Sequence, residues 1–189
     1  MLVLASKSPR REKLLKDAGL DFIICPSQIE EKVDPNKAPK DIVVELARQK
    51  ANDVAKHYPN DLVIGADTIV VCQDEILGKP VDEKDAYRML KMLSNQKHSV
   101  LTGVYLIKNG IEKGFYSETF VWMKNLSELE IWNYIQTKEP MDKAGAYAIQ
   151  DGGGQLVDHY EGDFFTIVGL PLKALLDAIK TFQSQDGGY

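Results

Sequence analysis

The chain predicts an α/β protein with a mixed sheet, and three observations carry that prediction. Leu2-Val3-Leu4-Ala5 stops at a polar turn and gives way to helical spacing, which reads as a strand followed by a helix. Leu62 to Thr68 reads as a buried strand after the longest helical pattern, so the first half alternates strand and helix as parallel sheets do. Two strand-like runs on either side of Asn109-Gly110 then predict an antiparallel hairpin, which makes the sheet mixed.

Taken in order, Ser8 is placed as N-cap and Pro9 as first residue of a helix whose Leu14, Leu15 and Ala18 share a face and which Gly19 ends. Residues 21–25, Asp-Phe-Ile-Ile-Cys, read as a second strand, and the polar, proline-bearing stretch from Pro26 to Pro39 as a loop carrying the acidic pair Glu30-Glu31. Between Lys40 and His57, the residues Ile42, Val43, Leu46, Ala47, Ala51, Val54 and Ala55 keep helical spacing, with Arg48, Lys50 and Asp53 elsewhere on the wheel. The next strand ends in an acid and a hydroxyl, Asp67-Thr68, and a break is expected there before Ile69 to Cys72 resume. Asp82 caps a helix reaching Leu93, and Val100–Ile107 pairs with a strand from about Glu112 to Trp122. A helix near Ser127 to Thr137 precedes a strand-like Ala146 to Gln150, a glycine run at 152–154 and a last helix opened by Pro171. The small, polar tail from Ser184 to Tyr189 is expected to fray, leaving 1–183 as one domain without internal repeats.

With 189 residues and 44% apolar content, the chain suits one domain, or one core with a smaller lobe. A net charge of −5 and a pI near 5.3 argue against general affinity for long nucleic acids, so local basic clusters stand out. Cys25 and Cys72 sit in apolar runs and read as small buried hydrophobes, with neither a disulfide framework nor a CxxC pair available. No stretch is long enough to cross a membrane, and Lys7, Arg10 and Arg11 follow too few apolar residues for a secretory signal, so a cytoplasmic protein is expected.

Several active sites are excluded by motif: there is no GxxxxGK[ST] loop, no GxGxxG after the first strand, no GxSxG elbow and no HExxH helix. With three histidines a histidine-rich metal site is not expected: His57 ends a helix, where it makes a favourable dipole contact, and neither His98, at a strand start, nor His159, in a loop, has the carboxylate or cysteine spacing that would specify a metal. What remains is a dispersed set of charged and hydroxyl groups. The turn Ser6-Lys7-Ser8-Pro9-Arg10-Arg11 puts cations at a helix N-terminus, an unfavourable placement that a bound anion such as phosphate would offset. Asp67-Thr68 is placed at the carboxyl end of a strand, where open α/β sheets collect ligands. Lys50 lies between Ala47 and Ala51, which allow close packing; Gly78-Lys79-Pro80 is a turn; and Asp142 to Gln150 permits close backbone approach before an amide.

In order, these motifs resemble the Maf family of nucleotide pyrophosphatases, also described as septum formation inhibitors and related in fold to the inosine triphosphate pyrophosphatases. Gly169-Leu170-Pro171 extends the resemblance over nearly the whole chain, although the asparagine usual before that stretch is replaced in Phe165-Thr166-Ile167-Val168, read as a packing variation. The resemblance implies an elongated, twisted mixed sheet flanked by helices, with a cleft between two lobes. It makes Asp67 the general base and places Ser8, Arg11, Lys50 and Lys79 on phosphate, with Glu30-Glu31 at the mouth of the site. It further implies that Arg10, Thr68 and Gln150 set specificity, matching the subgroup that hydrolyses dTTP and UTP together with modified pyrimidine triphosphates.

Charge chemistry agrees with that expectation. Arg11, Lys50, Lys79 and the helix N-terminus would hold a nucleoside triphosphate, arginine by a bidentate grip and lysine as a point charge. A divalent cation, Mg2+ or Mn2+, is expected on carboxylates such as Asp67 and one of Glu30-Glu31; Glu30 is assigned to the metal and Glu31 to the substrate. Gln150 can both donate to and accept from a pyrimidine edge. A homodimer is implied by the resemblance alone. Two rivals remain: a non-catalytic nucleotide-binding regulator of cell division, which has no need of the acid at Asp67, and a nucleic-acid-binding protein, which the acidic net charge opposes.

Overall fold

The computed structural model describes residues 1–186. Strand β1 spans Leu2–Ala5 and helix α1 Pro9–Asp17, followed by β2 at Ile23–Ile24, α2 at Pro39–Ala55 and β3 at Leu62–Cys72. Then come β4 (Glu75–Leu77), α3 (Glu83–Leu93), β5 (Lys97–Lys108), β6 (Ile111–Met123) and α4 (Glu128–Gln136). Short 3-10 turns at Glu139–Asp142, Ala144–Ala146 and Gly152–Leu156 lead to β7 (Val157–Glu161), α5 (Phe164–Val168) and α6 (Leu172–Asp186). The strand order is β2-β1-β3-β5-β6-β7, with β4 paired to β3. β1 runs parallel to β2 and β3, whereas β4 and β7 pair antiparallel, so the sheet is mixed as expected.

The chain forms two compact units: one from Met1–Asp67, Thr102–Ser117 and the chain from Gly169, the other from Thr68–Leu101 and Glu118–Val168. Each has a core. In the first, Val3, Ala5 and Val63 of the parallel strands pack with Ala51 and Val54 of α2. In the second, Val70, Leu77, Leu90, Leu93, Ile131 and Ile135 belong to one larger cluster.

Local signals set several element ends. Ser8 caps α1 with Pro9 in its first turn, and α1 closes with Gly19 in the left-handed region at φ 73°. There Gly19 N donates to Lys16 O at 2.9 Å and Leu20 N to Leu15 O at 3.2 Å, satisfying carbonyls that the helix end would orphan. Asp82 and Ser127 cap α3 and α4, the latter in a reciprocal capping box with Glu130. The hairpin turns at Asn109 and Gly110, with φ of 51° and 77°.

The structure corrects other expectations. β3 is continuous through Asp67-Thr68, so the acid lies inside an 11-residue strand rather than at a strand's end. Alternation sends the two side chains to opposite faces, so neither requires a break. β3 then folds back through Gln73 and Asp74, both at positive φ, into the unexpected β4. Ala146 to Gln150 is not a strand, because Gly145 and Ala146 take φ of 68° and 62° and interrupt extended backbone. β7, which carries His159, has no signal in the sequence: four of its five residues are exposed, so it lacks the alternation that marks a half-buried strand. Its place is set by pairing with β6, where the His159 ring stacks on Trp122 at 4.4 Å. The second strand shrinks to Ile23–Ile24, α5 was not anticipated, and α6 continues past residue 183 to Asp186. The rest of the tail, 187–189, lies outside the described residues.

Candidate active site

In the first unit the turn after β1 is organised around Ser6. Its buried hydroxyl accepts from Ser8 N at 3.2 Å and from Arg11 Nη1 at 3.1 Å, while Ser8 Oγ accepts from Arg11 N at 3.5 Å. Arg11 Nε donates to Gly169 O at 2.7 Å, which gives the Gly169-Leu170-Pro171 motif a role that the sequence did not reveal. Burial draws the guanidinium below its ordinary value, Asp67 opposes that, the neighbouring Arg10 adds to it, and Glu31 opposes it again. A guanidinium has no accessible neutral state in proteins, so Arg11 is a held positive charge that feels Asp67 and Glu31.

The second element is the packing of α2 on β3. A Cβ at Gly65 would stand 2.2 Å from Ala47 O and 2.8 Å from Ala51 N, so glycine is what lets the helix come this close. Gly103 of β5 plays the same part, since its Cβ would meet Val43 O at 2.3 Å. Lys50, between the two alanines, thereby reaches Asp67, which lies two residues beyond Gly65 on the same face of the strand. The Lys50 ammonium donates to Asp67 Oδ1 and pairs with Glu31 Oε1 at 3.1 Å. Lys50 and Asp67 are each 15% exposed, against 43% for Glu31. Two carboxylates thus converge on one cation beside a buried guanidinium. The acid drawn in is Glu31, assigned above to the substrate, whereas Glu30, assigned to the metal, is exposed. Arg10, the specificity candidate of this unit, is half-buried on α1.

The second unit holds the other candidates. Thr68 is half-buried in β3, and Lys79 is exposed in the turn after β4. Gly78 O accepts from Gly145 N at 3.1 Å, so the Gly78-Lys79-Pro80 turn and the Asp142–Gln150 segment are joined. In that segment Lys143 is buried, donating to Glu139 O at 2.7 Å and Asp142 Oδ1 at 3.0 Å, and Tyr147 OH meets His98 Nε2 at 2.7 Å. Gly153 and Gly154 lie against the carbonyls of Ala148 and Ile149, where a Cβ would come within 2.5 and 2.3 Å, which shapes the turn that exposes Gln150. Arg11, Glu31, Lys50 and Asp67 are therefore brought together in one unit, while Thr68, Lys79 and Gln150 belong to the other. Among the described residues no group of three or more His, Cys, Asp or Glu is placed to hold a metal ion by itself. Nor, among the described residues, is any helix long and apolar enough to cross a membrane.

The architecture defines the class first. Over 98% of both chains the structure is similar to that of the Staphylococcus aureus Ham1 protein, at 14% identity and a TM-score of 0.51, a likeness that shows a shared fold. The chain belongs to the Maf family, whose model, described as Maf-like protein, matches residues 1–182. Among its relatives, a Geobacillus sp. (strain WCH70) protein is 50% identical over 95% of this chain and 96% of its own length, and one from Halalkalibacterium halodurans is 49% identical over 95% and 94%. A Bacillus mycoides relative is 45% identical over 97% and 96%; all three are named dTTP/UTP pyrophosphatase.

Proposed function

We propose that this protein is a nucleoside triphosphate pyrophosphatase that hydrolyses dTTP and UTP to the monophosphate and pyrophosphate. The observation that carries the reading is the convergence of Asp67 and Glu31 on Lys50 with Arg11 buried alongside, supported by the names of the relatives.

The carboxylates suit a divalent cation. Mg2+ takes one or two carboxylates and completes its shell with phosphate oxygens and water, and two acids already converging on one cation offer that pair of hard oxygen ligands. Asp67 and Glu31 would hold it, and bound there Mg2+ or Mn2+ would neutralise phosphate charge. Lys50 moves from its carboxylates to the phosphates as the nucleotide arrives, exchanging one set of anionic oxygens for another. Arg11, fixed by Ser6 and Gly169, supplies positive charge that needs no reorganisation during reaction. Asp67 orients the attacking water and accepts its proton as the α-phosphorus to bridging-oxygen bond breaks and pyrophosphate leaves. Ser8 and Lys79 add phosphate contacts, while Arg10, Thr68 and Gln150 select the base. The expected setting is the cytoplasm, with a homodimer as the assembly.

A panel of nucleoside triphosphates with Mg2+ or Mn2+, followed for pyrophosphate and monophosphate, tests the reading. Release of both from dTTP and UTP in preference to purine nucleotides is expected. Nucleotide binding without product would favour the non-catalytic regulator instead.

A further inference from the structure

Two side chains of α2 that have no part in the proposed chemistry reach to the loop bearing Glu31. Asp53 Oδ2 accepts from Gln28 N at 3.1 Å and from Ser27 Oγ at 2.9 Å, and these bonds, the backbone one foremost, hold its carboxyl below the ordinary value. One helical turn earlier, Gln49 Oε1 accepts from Lys32 N at 2.9 Å while its Nε2 donates to Lys32 O at 2.8 Å. Both polar groups of one backbone residue are thus taken by one amide. Ile29, Glu30 and Glu31 are the residues between the two attachment points, and Lys50 follows Gln49 on the helix.

We infer that Gln49 and Asp53 are positioning residues that clamp the 27–32 loop to α2 and so deliver the Glu31 carboxylate to Lys50 and Asp67. An ion pair to a glutamate exposed as Glu31 is contributes too little by itself to order a polar loop, because each residue of that loop loses backbone freedom when it is fixed. The clamp bonds add backbone partners on both sides of Glu31, one helical turn apart, and the i,i+4 spacing of Gln49 and Asp53 matches that span. The inference rests on the pyrophosphatase reading for its catalytic consequence, though not for the clamp itself.

The test is a double-mutant cycle in dTTP hydrolysis with Mg2+, together with hydrogen exchange at the Lys32 amide. Gln49→Ala is expected to lower kcat/KM about ten- to a hundredfold, as loss of an outer-shell support does. Asp53→Ala should act in the same direction, and Asp53→Asn, which keeps a side-chain acceptor, should recover most of the loss. Added to Glu31→Gln, the Gln49→Ala change should cost less than about twofold more, because its effect passes through Glu31. Full additivity of the two changes overturns the inference, as does a Lys32 amide that exchanges no faster in Gln49→Ala. If the wild-type protein releases no pyrophosphate from any nucleotide, the functional reading fails and the Lys32 amide decides the clamp: faster exchange upholds it and unchanged exchange removes it.

Discussion

Arg11 Nε donates to the carbonyl oxygen of Gly169 at 2.7 Å, joining the first helix to a residue 158 positions away in sequence. With Ser6 on Nη1, this makes a buried cation a structural tie as well as the phosphate ligand proposed above. Arg11→Ala would take the Nε donor from Gly169 O and leave Ser6 Oγ with Ser8 N alone, so it should destabilise the fold by about 2–4 kcal/mol as well as abolish turnover. Arg11→Lys keeps the charge without the planar fork and should recover little of either. Urea unfolding midpoints check this, and an unchanged midpoint in Arg11→Ala would confine the residue to substrate binding.

Gly65 touches no substrate in this account, yet its substitution should disable the enzyme. A Cβ placed 2.2 Å from Ala47 O pushes α2 off β3 and carries Lys50 away from Asp67. Gly65→Ala is expected to cost about 1–3 kcal/mol through overpacking and to lower kcat/KM at temperatures where the variant is still folded. Thermal unfolding and kinetics on one preparation separate the two effects, and a folded variant with full activity would show that the helix position does not matter.

Much of this arrangement was written locally in the chain. Ser8, Pro9 and Gly19 bound α1, and Asn109-Gly110 turns the hairpin, because capping and positive φ depend on few neighbours. The alanines around Lys50 were likewise visible as close-packing residues, though only the structure sets them against Gly65. β7 was not legible, since its exposed residues carry no periodicity and the pairing partner lies some forty positions earlier. The β3–β4 turn uses Gln73-Asp74 in place of a glycine turn and so gave no signal. Asp53 read only as a position off the apolar face of an amphipathic helix and Gln49 carried no signal, because their partners belong to a loop without regular pattern.

His98 makes stability depend on pH. It is 2% exposed, its Nε2 meets Tyr147 OH, its Nδ1 has no partner among the described residues, and burial lowers its imidazole from 6.5 to about 4. The folded pKa is the lower one, so the unfolded chain binds a proton that the folded one refuses as pH falls from 6.5 toward 4. Stability from this residue is complete above 6.5, declines by about 3 kcal/mol across that window and falls no further below about 4. Comparing urea unfolding of wild type and His98→Gln over pH 4–7 (about the same window) isolates the contribution from that of the carboxylates. Parallel curves would mean that His98 titrates normally.

The central claim is that Asp67 of β3, paired with Lys50 of α2, takes the proton of the attacking water. Its most direct measurement is pyrophosphate release from dTTP by Asp67→Asn at saturating Mg2+, alongside circular dichroism and dTTP binding. The amide keeps the shape and a polar contact to Lys50 but cannot serve as a base, so folding and nucleotide binding should persist while kcat falls by about a hundredfold or more. Turnover at the wild-type rate by a folded, nucleotide-binding Asp67→Asn protein would contradict the account.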